Sequence, residues 1–193
     1  HMAGVFRANK KGKGGKYSAN FFKSEWKHAA NGAGRSVSND NFRDFFSAMI
    51  EDLVSENKYL VYWTVHEETI LKRHLTQDLW MRLKPYLFNV HPLARRYMNR
   101  RKAFGIDTTA RGKPLEEFLA AMYKKRQPYP PLPRGPSIVC QRIDVACSKT
   151  KRWSNFTDVQ KKYVKDLLAY NEGDCRSTWL IAKRVGNFYA SNN

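Results

Sequence analysis

Apolar positions recur at helical spacing most clearly in residues 39–57, where Phe42, Phe45, Phe46, Met49, Ile50, Leu53 and Val54 form one stripe. Ser38, Asn39 or Asp40 can cap the first turn of that helix. Upstream, residues 4–7 and 17–23 read as two short strands joined by the glycine-containing loop 10–16, with a second loop at 31–38. Residues 59–64 (YLVYWT) are continuous, aromatic and β-branched, the pattern of a buried strand. Helices are expected at 67–75 and 77–87, whereas 91–111 is basic and follows no clear period. Pro114 at a first helical position opens a helix through residue 125, with Leu115, Phe118, Leu119 and Met122 on one face. Five prolines in 127–136 impose an extended loop, and 137–147 is ambiguous. Thr157 and Gln160 make a capping box for a long last helix, 158–185. Its buried stripe is Val159, Tyr163, Val164, Leu167 and Leu168, and Gly173 marks a break or a close approach. The reading is a single α/β domain, residues 3–193, with a mixed sheet.

Composition narrows the class. At 193 residues, with 42% hydrophobic and 13% aromatic side chains, the chain has the apolar surface that a disordered polycation lacks. No apolar run reaches the roughly 18–20 residues that span a bilayer, and the N-terminus has no apolar signal core, so no membrane partner is expected. His1-Met2 reads as an appended start. Three cysteines, Cys140, Cys147 and Cys175, with no CxxC, point to a reduced intracellular setting, cytoplasmic or nucleoid-associated. The spacing of Cys140 and Cys147 matches no common zinc site, so buried thiols are the expectation.

Charge then changes the picture. Thirty-five Lys+Arg stand against 17 Asp+Glu, a net of +18. Residues 1–94 hold 14 basic and nine acidic side chains, net +5; residues 95–193 hold 21 and eight, net +13. The second half is clustered: Arg95, Arg96, Arg100, Arg101 and Lys102; then Lys124, Lys125 and Arg126; then Lys149, Lys151 and Arg152; then Lys161, Lys162 and Lys165. Aromatic residues lie among these cations, and the combination suits phosphates with bases stacked on rings, so nucleic acid is the expected partner. The bland alternative is a solvated basic surface.

Two segments concentrate chemistry. In residues 62–73 (YWTVHEETILKR) a strand runs into acids that open a helix, and in residues 170–178 (YNEGDCRST) Tyr170 and Asp174 share a helix face. A carboxylate at a strand end and another on a packed helix can jointly hold Mg²⁺ or Mn²⁺, which take oxygen ligands and stabilise both oxygens in phosphodiester hydrolysis. Here the chain resembles the RNase H-like DEDD exonuclease superfamily, in its RecB-like, ribonuclease H-like nuclease branch. Residues 67–73 follow the branch's E-x-T-x-L-x-R helix, and residues 170–178 follow its Y-N-x-x-D-C-x-x-T motif. The resemblance implies an RNase H-like mixed sheet flanked by helices and a metal-dependent nuclease of the 3′–5′ exonuclease type, acting on DNA or RNA. It implies Mg²⁺ or Mn²⁺ held by Glu67 and Asp174, with Tyr170 orienting the attacking water beside them as the catalytic set.

The family's first motif, D-x-E on the first strand, has no counterpart before Glu67. The expected sheet therefore lacks its first, central strand, and weak or no nuclease activity is expected from this chain alone. A start downstream of the native one, membership of a longer protein, and a degenerate family member all explain the gap. Glu67 has a plain reading as a helix-N-terminal acid interacting with the dipole, and Tyr170–Asp174 as a surface pair. Three functions follow: a nuclease, a non-catalytic nucleic-acid-binding module of the same fold, and an interaction domain completed by other domains or subunits of a larger protein.

Overall fold

A computed structural model describes residues 2–9, 14–33, 37–38, 41–100, 115–123, 132 and 135–191. The elements begin with β1 (Met2–Ala8), β2 (Gly15–Phe21), α1 (Lys27–Gly32), β3 (Val37–Ser38), α2 (Phe42–Ser55) and β4 (Leu60–Tyr62). They continue with α3 (Val65–His74), α4 (Gln77–Leu83), β5 (Leu87–Asn89), α5 (His91–Arg100), α6 (Leu115–Tyr123), α7 (Gly135–Lys149) and α8 (Asp158–Ala190). Single 3₁₀ turns lie at Ser24–Trp26, Lys84–Tyr86 and Trp153–Asn155. The class is mixed α/β, mostly helical. Among the described residues, no helix is long and apolar enough to cross a membrane.

Two compact units divide these elements, a hairpin unit (His1–Asp40 with Pro128–Arg176) and a helical unit (Asn41–Gln127 with Ser177–Asn193). Helix α8 contributes to both. Among the described residues the strands form two small sheets rather than one, and the first of them is mixed. In the hairpin unit β1 pairs antiparallel with β2, and β2 pairs parallel with β3. In the helical unit β4 and β5 form a separate parallel pair, Leu60 to Leu87 through Tyr62 to Asn89.

The hairpin unit packs Ala19, Trp26, Ala29 and Ala30 against Val139, Ile143, Ala146 and Cys147 of α7, Phe156 just after the Trp153–Asn155 turn, and Val164, Leu167 and Leu168 of α8. Asp144 draws α7 onto the turn before α1, accepting from Trp26 Nε1 at 2.6 Å and Lys23 Nζ at 2.8 Å. At Gly32 a Cβ would run into the Trp153 indole, so α1 can end flush against that ring only as glycine. Thr157 and Gln160 close the anticipated capping box: Thr157 N–H donates to Gln160 Oε1 at 2.8 Å, and Gln160 N–H to Thr157 Oγ1 at 3.2 Å. Val159, expected in the buried stripe, is 59% exposed, because the first turn of α8 precedes the packed stretch. Gly173 is buried and breaks nothing, since α8 continues to Ala190. One helical glycine costs about 1 kcal/mol, which packing on both sides of it outweighs.

In the helical unit α2 is capped by Asn41, whose Oδ1 accepts from Asp44 N–H at 2.9 Å, rather than by a residue in 38–40. Phe46, Met49, Ile50 and Leu53 are buried as expected, whereas Val54 is 47% exposed at the helix end. The helix expected at 77–87 stops at Leu83, because Pro85 brings no N–H to the ladder and the chain turns into β5. Residues 91–100 form a regular helix where no period was legible, burying Ala94, Tyr97 and Met98. Leu115, Phe118, Leu119 and Met122 of α6 are buried with Trp63, Val90, Ile181 and Val185. Segment 137–147 resolves as helix α7, while 101–114 and nearly all of the proline-rich loop lie outside the described residues.

Candidate nucleic-acid interface and the acidic motifs

Glu67 sits in the first turn of α3, in the helical unit, and its surroundings explain its position. Thr64 N–H donates to Glu67 Oε2 at 3.1 Å, the Thr64 hydroxyl donates to the same oxygen, and His66 N–H donates back to Thr64 Oγ1 at 3.2 Å. This reciprocal pair satisfies amide donors that a helix start otherwise leaves open. The neighbouring Glu68 accepts from the Tyr62 hydroxyl at 2.7 Å. Burial, reinforced by that carboxylate, pushes the Tyr62 phenol up to about 12.

The late motif belongs to α8 in the hairpin unit up to Arg176. Tyr170 packs against that unit's core, and Asn171 Oδ1 accepts from the Tyr17 hydroxyl at 2.7 Å. A Cβ at Gly4 would overlap the Asn171 amide, so β1 approaches the helix only through a bare backbone. Glu172, 7% exposed, pairs with Arg176 one turn on at 2.7 Å, and the Arg176 guanidinium lies 5.0 Å from the Phe6 ring centroid. Asn171, Glu172 and Arg176 thus lock α8 onto the hairpin. The i, i+4 spacing of Glu172 and Arg176 signals their pair in the sequence; the partners Tyr17, Gly4 and Phe6 leave no local sign. Asp174 and Cys175 are half-buried in the same stretch.

The sequence-predicted cations fall into two described groups. In the hairpin unit Lys149 ends α7, Lys151 and Arg152 form the following turn, and Lys161, Lys162 and Lys165 line the start of α8. The turn is held rigidly: Trp153 packs on Gly32, its ring centroid is 5.5 Å from that of Phe156, and the Arg142 guanidinium of α7 covers the Tyr163 ring of α8 at 5.0 Å. Lys162 is paired with Asp166 at 2.6 Å. Among the described residues no carboxylate lies within ion-pair distance of Lys149, Lys151, Arg152, Lys161 or Lys165. In the helical unit α5 carries half-buried Arg95 and exposed Arg96 and Arg100. Arg101, Lys102, Lys124, Lys125 and Arg126 lie outside the described residues.

Helical projection separates cations from the acid on α8. Lys165 and Asp174 are nine residues apart, which at about 100° per residue puts them on opposite faces about 13 Å apart along the axis. Lys161 projects about 140° from Asp174 by the same rule. The cationic face of α8 does not run toward Asp174.

Mg²⁺ or Mn²⁺ would require several converging oxygen donors. Among the described residues no group of three or more His, Cys, Asp or Glu side chains is placed to share a metal ion, and the carboxylate of Glu67 is engaged in the α3 cap. Glu67 belongs to one unit and Asp174 to the other. Within each unit, the described residues bring no further pair of His, Cys, Asp or Glu side chains to Glu67 or to Asp174 for a shared metal ion. The cysteines are free thiols; burial pushes Cys147 up to about 11 and raises Cys140, which keeps both protonated at neutral pH. No protein-family model, curated protein or solved structure matches the chain.

Proposed function

We propose that this protein binds nucleic acid through the phosphate backbone, and that binding without cleavage is the function of this chain. The observation that supports this most is the set of Lys149, Lys151, Arg152, Lys161 and Lys165 at the rigid α7–α8 junction, with no described carboxylate in ion-pair range. Like charges gathered without counter-charges repel one another, and a polyanion relieves that repulsion while releasing its own condensed counterions. Phosphate contacts of this kind are independent of sequence and serve DNA and RNA alike.

Fluorescence anisotropy with labelled oligonucleotides between ~50 and ~200 mM salt tests the reading. The expected result is a steep fall of affinity with salt, and a Lys149→Ala/Lys151→Ala/Arg152→Ala variant whose slope is shallower by about 2–3. Absence of binding at the low-salt end, an unchanged slope in the variant, or preferential binding to anionic vesicles would overturn it. Incubation of the same oligonucleotides with Mn²⁺ is expected to leave them intact. Cleavage that disappears in Asp174→Asn would instead establish the phosphodiesterase that the motif resemblance implies.

A further inference from the structure

We infer that the helical unit carries a strip for single-stranded nucleic acid, on which Arg96 takes a phosphate and Arg100, lying over the Tyr189 ring, offers its guanidinium to a base. This rests on the nucleic-acid reading above and names the form of ligand. Arg96 and Arg100 are exposed and four residues apart on α5, so their side chains rise side by side from one helix face. The opposite face, Ala94, Tyr97 and Met98, is buried.

What distinguishes Arg100 from an ordinary surface arginine is its support. Its guanidinium carbon lies 5.3 Å from the Tyr189 ring centroid, and the Tyr189 hydroxyl is buried. Phe188 meets Tyr189 edge-on at 5.3 Å and Tyr97 edge-on at 5.0 Å, and Tyr97 is 2% exposed. The Tyr97 hydroxyl in turn accepts from Arg184 Nε at 3.1 Å. Each contact restricts the next, from the buried ring outward to the exposed cation. A free arginine loses rotamer freedom when it binds, whereas one already held over a ring loses less.

A guanidinium plane and a nucleobase stack face to face, as bases do on arginine and aromatic side chains in single-strand and RNA recognition. In a duplex both faces of each internal base are already covered, so only an unpaired base can use this plane. A phosphate one helical turn back on Arg96 would hold the same strand. Arg100→Lys preserves the charge and loses the plane.

Binding of a labelled single strand, the same strand with abasic sites, and its duplex should be compared for the wild type, Arg100→Lys and Arg96→Gln. The expected result is that Arg100→Lys binds the single strand at least about fivefold more weakly, the lower end of what one stacked base contributes. Its affinity for the duplex and for the abasic strand should stay at the wild-type value, and its melting temperature should not change. Arg96→Gln should lower the single-strand salt slope by about 0.7. Equal single-strand binding by Arg100→Lys and wild type, or an equal loss on duplex, would overturn the stacking strip while leaving backbone binding intact. Failure of the wild type to bind any of the three probes would overturn the broader reading as well.

Discussion

In the hairpin unit polar groups enter the packing in fixed pairs: Asp144 receives Trp26 and Lys23, Asn171 receives Tyr17, and Glu172 holds Arg176. In the helical unit a cluster of rings lies in the core. Trp63, His91 and Phe118 meet with centroids 4.8–5.4 Å apart, and Arg184 covers Tyr123 at 5.0 Å. One helix, α8, supplies both, bringing Val164, Leu167 and Leu168 with the Asn171 and Glu172 contacts to the first core and Ile181 and Val185 to the second. Directional hydrogen bonds specify a unique register but penalise any lost partner, while ring clusters lose stability in proportion to the volume removed. The two units should therefore fail in different ways.

The largest effect is expected from Phe118→Ala. The side chain is fully buried and touches both Trp63 and His91 edge-on, so its removal should cost about 3–5 kcal/mol. Amide hydrogen exchange should show protection lost first in α5, α6 and the last turns of α8. An equal rise of exchange in α1 and α7 would mean that the two cores unfold as one, and the contrast between them would not hold.

Acid should separate the units next. Burial, followed by the nearby Arg95 charge, lowers the His91 pKa below 6.5 in the folded state. The unfolded chain then takes up the proton first, so the helical unit loses stability as pH falls from 6.5 toward the lower folded value. Asp144 behaves as an acid: burial pushes its carboxyl up, but the hydrogen bonds from Lys23 and Trp26 outweigh that and hold it below 3.8. Its contribution is present above 3.8 and is lost as pH falls through the folded value, so the hairpin unit fails later. Residue-resolved exchange against pH should show that order. His91→Phe should flatten the first limb, and Asp144→Asn, which keeps an acceptor for Trp26, the second. Asp144→Ala leaves the indole N–H of nearly buried Trp26 without its acceptor and should cost about 1–3 kcal/mol at neutral pH. A His91→Phe profile parallel to that of the wild type would sink this ordering.

The same contrast explains what the sequence disclosed. Helices α2, α6 and α8 were legible because large apolar side chains repeat on one face, and the Thr157–Gln160 cap because both partners lie within four residues. Helix α1 was not, since it is buried through Ala29 and Ala30, where closeness of backbone rather than side-chain size does the packing. Helix α7 was ambiguous because its inner face mixes Val139 and Ile143 with Asp144 and Cys147. Strand β5 is three residues long and follows Pro85, too short for any period to register. At the site, Tyr170–Thr178 was conspicuous, yet the partner of Asn171 is Tyr17, 154 positions away, and no local pattern encodes such a contact. The Glu67 segment carried its own explanation in Thr64-x-x-Glu67, the capping-box spacing.

That cap supplies the smallest expected effect and a clean discrimination between two roles for one carboxylate. Glutamine at a third helical position accepts from the cap residue's amide as glutamate does, so Glu67→Gln should change stability by less than about 0.5 kcal/mol. Glu67→Ala removes the acceptor for Thr64 N–H and should cost about 0.5–1 kcal/mol. If capping is the whole role of Glu67, the glutamine variant also keeps the wild-type affinity for oligonucleotides and the wild-type response of its melting temperature to Mn²⁺. A carboxylate that binds a divalent ion behaves otherwise, because the neutral amide gives up the charge on which hard-cation affinity depends. Loss in Glu67→Gln of a Mn²⁺-dependent rise in melting temperature, with stability in the absence of metal unchanged, would therefore assign Glu67 to a metal site and reopen the nuclease reading. The same response in both proteins would leave Glu67 a helix cap.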